Sequence, residues 1–341
     1  MMTTSERMLK VRTGELGARL AKSLQEADGK TTSKALAATG GNPKQPVKSL
    51  SEELDALRRD HEKLQQAIYE AAQVQRRLCA PRELARGEYE IAGEIFPVRH
   101  LSGDFFKVVE LGPDLGVILG DIAGKGLTAG IWHAHLMSLV HRAAKNHANP
   151  GDAVAQVNHE LCHDSGDAPL TALFYAKIDS RTNELVYCNA GLPAPLVIRK
   201  NKALERLENG GPMLGAVKDG LFQTGIVKLQ EGDMLVAYSD GVTECRNAED
   251  EEFEMERLIT ATRNVAGVNA SKALFSLLAT VLDFADSCSQ NDDLTLLVVR
   301  RSDAFKEQSR STSKELSNST RRSTLGTRPK RFDREGKVQG M

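Results

Sequence analysis

Four aspartates interrupt or end strongly apolar stretches of this sequence. Asp104 lies in LSGDFFKVV, Asp121 ends GVILGD, Asp240 ends MLVAYSD, and Asp292 precedes LTLLVV in QNDDLTLLVV. Aspartate is a poor strand residue, so each interruption needs a reason. One alone would be explained as a turn former. Four at the ends of apolar strands, three of them beside glycine, fit carboxylates converging at one sheet edge. Hard oxygen donors suit Mg²⁺ or Mn²⁺ rather than zinc. Two such ions can hold a hydroxide between them and neutralise a phosphoryl group during in-line attack. The neighbouring glycines keep the backbone slim and permit sharp turns.

Two rival chemistries can be weighed on spacing. LGDIAGKGLTAG (119–130) suggests a phosphate loop, but the Walker pattern needs glycine where Leu119 stands and a hydroxyl where Gly126 stands. HELCH (159–163) has the His-Glu-x-x-His spacing of a zinc protease, with Glu160 as base. Its extended form would put a third ligand on Pro169, which cannot bind metal. Val154, Val157 and Leu161 form an apolar face, so a surface helix with chance histidines is the favoured account. His133, His135, His141 and His147 offer no clean i, i+4 ligand pair. No cysteine is followed by arginine six residues later, which excludes a cysteine phosphatase.

The elements that must position these groups are legible in pattern. The 341 residues carry 45 Lys/Arg against 46 Asp/Glu, a net charge of −1 that excludes a global polyanion binder, so nucleic acid is not an expected partner. Five scattered cysteines without a C-x-x-C pair point to a reducing compartment. No apolar run approaches the ~20 residues of a membrane span, and the N-terminus lacks a signal-peptide core; a cytoplasmic location is expected. Residues 1–46 read as a flexible segment. From Val47 through Leu50, Leu54, Leu57, His61, Leu64, Ile68, Ala71 and Gln75 to Leu78, a 3-4 spacing predicts a helix or coiled coil over 47–80, and a homodimer through 47–78. His61 and Gln75 weaken that seam.

Residues 85–302 read as one α+β domain. Strands are predicted at 89–96, 105–111, 115–120, 170–179, 184–190, 222–229, 233–240 and 294–301. Short turns make hairpins of 105–111 with 115–120, of 170–179 with 184–190, and of 222–229 with 233–240. Helices are expected at 127–147, 152–163, 254–265 and 270–286, covering sheet faces. Asp219 and Asp233 look like ordinary turn residues. From Arg300 to Met341 there are twelve Lys/Arg and five Asp/Glu, a net +7. Residues 303–341 have no hydrophobic period and read as a disordered basic tail.

SGDFF, GDIAGKG, NAGLPAP, SDGVTE and NDDLTLLVV, in this order, resemble the SpoIIE/RsbU-like branch of the PPM (type 2C-like) metal-dependent serine/threonine protein phosphatases. The likeness covers about residues 68–300, including AAQVQRRLCAP as a leading helix. It implies an αββα sandwich of two antiparallel sheets flanked by helices, with two Mn²⁺ or Mg²⁺ ions at one end. It implies that Asp121 bridges both ions beside the carbonyl of Ile122, with Asp104, Asp240 and Asp292 as the other ligands and Asp121 and Asp104 central to catalysis. Asp293 matches a neighbouring polar position, where a site role and a strand cap stay open. Three positions depart from the common pattern. Ser102 replaces a glycine, harmlessly by expectation. Lys107 replaces an acidic residue and is expected to alter water or substrate preference. Leu192 replaces a histidine and is expected to loosen a loop. Lys125 is expected to be solvent-exposed.

The resemblance implies direct attack of a metal-bridged hydroxide on a phosphoserine or phosphothreonine protein. The implied substrate resembles an anti-sigma-factor antagonist in bacterial signalling, with regulatory input from a protein partner at the N-terminal helix. The competing functions are a catalytically silent scaffold of the same fold and the zinc protease.

Overall fold

The computed structural model describes residues 44–302, apart from 80, 165–167, 287 and 289. The expectations for 1–43 and for the tail 303–341 lie outside the described residues. The chain falls into two units, which meet in sequence at Gln66 and Ala67.

Helix α1 spans Lys44–Leu78. In the first unit Leu54, Leu57 and Leu64 of its heptad stripe are solvent-exposed, and Asp55–Arg58 and Asp60–Lys63 pair at i, i+3. In the second unit the last turns bury Ala72 and Gln75. Gln75 takes part in a hydrogen-bonded contact described below, so in this unit its polarity has an intramolecular use.

The second unit is a four-layer sandwich. One sheet has the order β1 (Glu83–Arg86), β2 (Tyr89–Phe96), β12 (Leu294–Arg301), β11 (Met234–Tyr238), β7 (Leu196–Ile198) and β8 (Leu204–Arg206), all antiparallel. The other runs β10 (Gly225–Lys228), β6 (Glu184–Ala190), β5 (Thr171–Ile178), β4 (Asp114–Ile122) and β3 (Phe105–Leu111), with the short β9 (Gly210–Gly211) parallel to β6. Between the sheets, alternate residues interdigitate: Ile91, Val117, Leu119, Phe174, Leu235, Leu297 and Val299. The intervening residues face outward under helices. Ile118, Leu173 and Tyr175 meet α2 (Leu127–Asn146) and α3 (Pro150–Asp164), while Val236, Leu296 and Val298 meet α5 (Glu254–Asn264) and α6 (Ala270–Ala285). Strands buried on both faces read as unbroken apolar runs. A break in such a run is therefore informative.

The hairpins β3–β4 and β5–β6 form as expected, with Gly112 and Asn183 in left-handed conformations at their turns. The expected third hairpin does not form. β10 pairs with β6 in one sheet, while β11 lies between β12 and β7 in the other. The intervening residues cross the sandwich instead of folding back. Leu229 is buried between the sheets. Asp233, also buried, accepts hydrogen bonds from Arg199 at 2.7 Å and from the Gln230 amide at 2.8 Å. Asp233 is thus a buried anchor and not merely a turn residue. β1, β7, β8 and β9 were not anticipated; all are four residues or fewer.

Candidate metal centre

The four aspartates reach one end of the sandwich by different routes. Asp104 stands immediately before β3, and Asp121 is the penultimate residue of β4. These strands pair, with Phe105 opposite Gly120. Strand β11 stops at Tyr238, so Asp240 does not end a strand: it opens a short helix, α4 (Asp240–Thr243). Asp292 precedes β12 by two residues.

Close backbone approaches fix these positions. A Cβ on Gly103 would lie 2.7 Å from the carbonyl oxygen of Ile122, so only glycine lets the Asp104 segment pass the end of β4. A Cβ on Gly241 would lie 2.1 Å from the Asp293 carbonyl oxygen; this absence of a side chain sets α4 against the start of β12. Ser239 adds a link. Its hydroxyl donates to the Asp293 carbonyl at 3.3 Å and accepts from the Thr295 amide at 3.0 Å.

Asp104 is buried, and Thr295 donates to its Oδ2 at 2.5 Å. Its carboxyl is pushed well above the usual range, first by burial and then by the charge of Asp121. Asp121 is raised to about 6, first by burial and then by Asp240. Burial and then Asp292 also raise Asp240. Lys125 is the cation beside this group. It pairs with Asp292 at 3.0 Å and donates to the Asn291 carbonyl, so it is not simply solvated. Glu244, four residues after Asp240, is a further carboxyl raised by burial and by Asp240; sequence reasoning did not single it out.

Crowded carboxylates in a low-dielectric pocket hold protons unless a cation neutralises them. The donor set therefore fits hard divalent ions. Among the described residues, no three acidic, histidine or cysteine side chains are already arranged as a closed ion cage. The fit is one of donor chemistry and convergence.

Asp293 has its lone pairs committed elsewhere. It accepts from the Val98 amide at 2.8 Å, the Ser102 hydroxyl at 2.7 Å and the Gly103 amide at 2.9 Å. It ties the segment before Asp104 to β12. Ser102, expected to be a harmless replacement, is instead the centre of a network. Its hydroxyl also accepts from the Asp104 amide at 3.0 Å, and its backbone amide and carbonyl are both bonded by Gln75, at 3.0 and 2.7 Å. Gln75 also meets Nδ1 of the buried His133 at 3.1 Å. Burial keeps that imidazole neutral by lowering its pKa to about 4. These polar partners were missed because Gln75 looked like a flaw in an apolar seam.

Lys107 does not face the carboxylates; its amine donates to the Leu78 carbonyl at the end of α1, at 3.4 Å. Nor is the loop at Leu192 loosened. Leu192 is buried, and Asn189 clamps its amide and carbonyl at 3.1 and 2.9 Å. In the zinc-protease motif, His159 and His163 are exposed with ring centroids 4.1 Å apart. Glu160 is occupied by Arg142 and by Gln156. That leaves the supposed base paired and the two rings on solvent.

Comparison with known proteins agrees with this fold. The family model described as Stage II sporulation protein E (SpoIIE) matches residues 112–302, more than half the chain. Protein IcfG of Synechocystis sp. is 28% identical over 244 residues, covering 63% of this chain but only 38% of its own length. Phosphoserine phosphatase RsbU of Bacillus subtilis is 25% identical over 253 residues, covering 73% of this chain and 74% of its own. Among solved structures, the SiaA-PP2C domain of Pseudomonas aeruginosa superposes with a TM-score of 0.64 at 19% identity, over 71% of this chain and 98% of that one. At that identity the likeness speaks for the fold.

Proposed function

The chain belongs to the SpoIIE/RsbU-like family of PPM-type phosphatases, and from that premise we propose that it is a divalent-metal-dependent phosphatase of phosphoserine or phosphothreonine proteins in bacterial signalling. The observation that carries the proposal is the juxtaposition of the buried Asp104 with the half-buried Asp121, two carboxyls raised by burial and by neighbouring charge. The family uses divalent metals, and two Mn²⁺ or Mg²⁺ ions are proposed here.

Asp104, Asp121, Asp240, Asp292 and the carbonyl of Ile122 would hold the ions. When bound, the ions would supply an acidified water nucleophile and charge neutralisation for the phosphoryl group. The chain's own residues do the positioning. Thr295 holds the Asp104 carboxyl, Ser102 holds its backbone amide, and Asp293 holds the amide of Gly103 just before it. Gly241 lets Asp240 sit beside Asp292. Lys125 orients the Asp292 carboxylate.

The substrate implied by the family likeness is a phosphorylated protein resembling an anti-sigma-factor antagonist. We further propose residues 85–302 as the catalytic domain, 47–80 as a regulatory helix that pairs with a second copy and receives a protein signal, and 1–46 and 303–341 as flanking segments, in a cytoplasmic protein. Among the described residues, no helix is long and apolar enough to cross a membrane. The test is release of phosphate from a phosphoserine protein by the full chain with Mn²⁺ and with EDTA. Mn²⁺-dependent release supports the proposal; release that EDTA leaves intact contradicts it.

A further inference from the structure

A groove of about 670 Å³ opens between one face of α1, residues 97–101 and the start of α2. Its walls continue directly from the two segments of the metal centre. Leu101 leads through Ser102 and Gly103 to Asp104, and Gly126 lies five residues after Asp121. Arg76 and His100 line both this groove and the neighbouring cavity that Ser102 and Asp104 also line, so a polypeptide seated in the groove lies beside the metal centre.

The groove has an unusual surface. Tyr69, Val98 and Leu127 line it and are 53%, 38% and 62% exposed. Ile131, one turn beyond Leu127 on α2, is 63% exposed. Large apolar side chains left in water beside a site mark an interaction surface. Two arginines, Arg76 and Arg99, also line the groove, and both are exposed. Neither has an ion pair or hydrogen bond among the described residues. Among the described residues, no Asp or Glu lines the groove. In a chain of net charge −1, this is a local concentration of positive charge without an acidic partner among the described residues.

We infer that this groove docks the polypeptide surrounding the phosphorylated residue, and that its preferred substrates carry an apolar anchor and carboxylate side chains next to that residue. The inference rests on the phosphatase proposal and adds a substrate class to it. The apolar residues supply burial. The arginines supply complementarity, which speeds encounter and selects among partners. Phosphate chemistry alone gives no such selection, because every phosphoserine presents the same group.

The experiment uses three phosphoserine peptides of equal length with the full chain. One has Leu and Asp/Glu flanks, one has Leu and Lys flanks, and one has Gly/Ser flanks. Turnover is read as kcat/KM, and binding by fluorescence anisotropy; p-nitrophenyl phosphate, which has no flanking chain, reads the catalytic centre alone. The acidic-apolar peptide should be preferred over the basic one by about tenfold or more at low salt, declining as salt rises. The double substitution Arg76→Glu with Arg99→Glu should reverse the order of the two charged peptides. Leu127→Ser should weaken both Leu-bearing peptides by about fivefold or more. Equal kcat/KM and equal binding for all three peptides would overturn the inference. So would a change of oligomeric state on Leu127→Ser without any change in peptide preference, since the groove would then be covered by a second copy. If nothing is turned over, p-nitrophenyl phosphate included, the phosphatase proposal fails, and anisotropy still decides the docking preference.

Discussion

Thr295 Oγ1 donates to Asp104 Oδ2 at 2.5 Å, joining residues 191 apart in sequence. Thr295 lies on a central strand of the first sheet and Asp104 immediately before an edge strand of the second. The bond spans the sandwich where the carboxylates meet. It favours the charged form of Asp104 against burial and against Asp121. Thr295→Val keeps the volume and removes the donor. The expected results are a loss of about 1–3 kcal/mol of stability and a several-fold weaker Mn²⁺ affinity. Denaturant unfolding and metal titration measure the two. Unchanged affinity would mean that the bond does not orient a ligand.

Stability without metal should depend on pH in an unusual sense. Burial and Asp240 raise Asp121 from an ordinary 3.8 to about 6. The folded form therefore binds this proton more tightly than the unfolded chain. The associated stability is complete below the unfolded value and is lost as pH rises through about 6. His133, held neutral with its pKa lowered to about 4, contributes in the opposite sense over the same window, so the Asp121 contribution is read as a difference: in EDTA, the Tm of the wild type relative to Asp121→Asn should fall between about pH 4 and pH 6.5. Saturating Mn²⁺ should reverse that difference, because ions displace the proton and bind more tightly at higher pH. Differential scanning calorimetry of both proteins across pH checks the sign; a metal-free difference that rises through this window contradicts it.

Gly241 and Gly103 should not tolerate a methyl group. The added Cβ would lie 2.1 Å from the Asp293 carbonyl at one site and 2.7 Å from the Ile122 carbonyl at the other. Both neighbours are backbone, so the ligand-bearing segments must move. Alanine at either position should cost about 1–3 kcal/mol and reduce phosphate release by at least about tenfold. Wild-type turnover by either variant would show that the centre tolerates displacement.

Gln75→Leu should test how α1 supports the centre. Gln75 bonds both the amide and the carbonyl of Ser102, whose hydroxyl receives the Asp104 amide. Leucine leaves those two buried backbone groups unpaired, at about 1–3 kcal/mol each. Faster hydrogen exchange at residues 101–104, measured by mass spectrometry, should accompany lower activity. Unchanged exchange would leave Gln75 a packing residue only.

The four candidate aspartates, which the fold brings to one end of the sandwich, stood out in the sequence because each interrupts or bounds a run that burial on both sheet faces makes continuously apolar. Two hairpins were legible because a short gap between strands usually folds back. The same rule failed between β10 and β11, where buried Leu229 and Asp233 carry the chain across the sandwich. Only tertiary partners such as Arg199 reveal that crossing. Gln75 and His133, 58 residues apart, illustrate the same limit. A buried polar residue reads as a flaw in a helix until its partner is located. Ser102 was misjudged because replacing glycine changes little locally, whereas its hydroxyl connects Asp293 to the Asp104 backbone. The groove beside the centre was not visible either, since it is assembled from α1, a loop and α2.

The most direct test is Mn²⁺-dependent phosphate release from a phosphoserine protein by the wild-type chain and by Asp121→Asn, with Mn²⁺ binding followed by calorimetry in the same samples. The account predicts release by the wild type, a loss of about a hundredfold or more in the variant, and markedly weaker Mn²⁺ binding to a chain that remains folded. Equal release by both proteins would contradict a centre built on Asp121. Tight Mn²⁺ binding by the wild type without release from any phosphoprotein would contradict catalysis and favour a scaffold of the same fold.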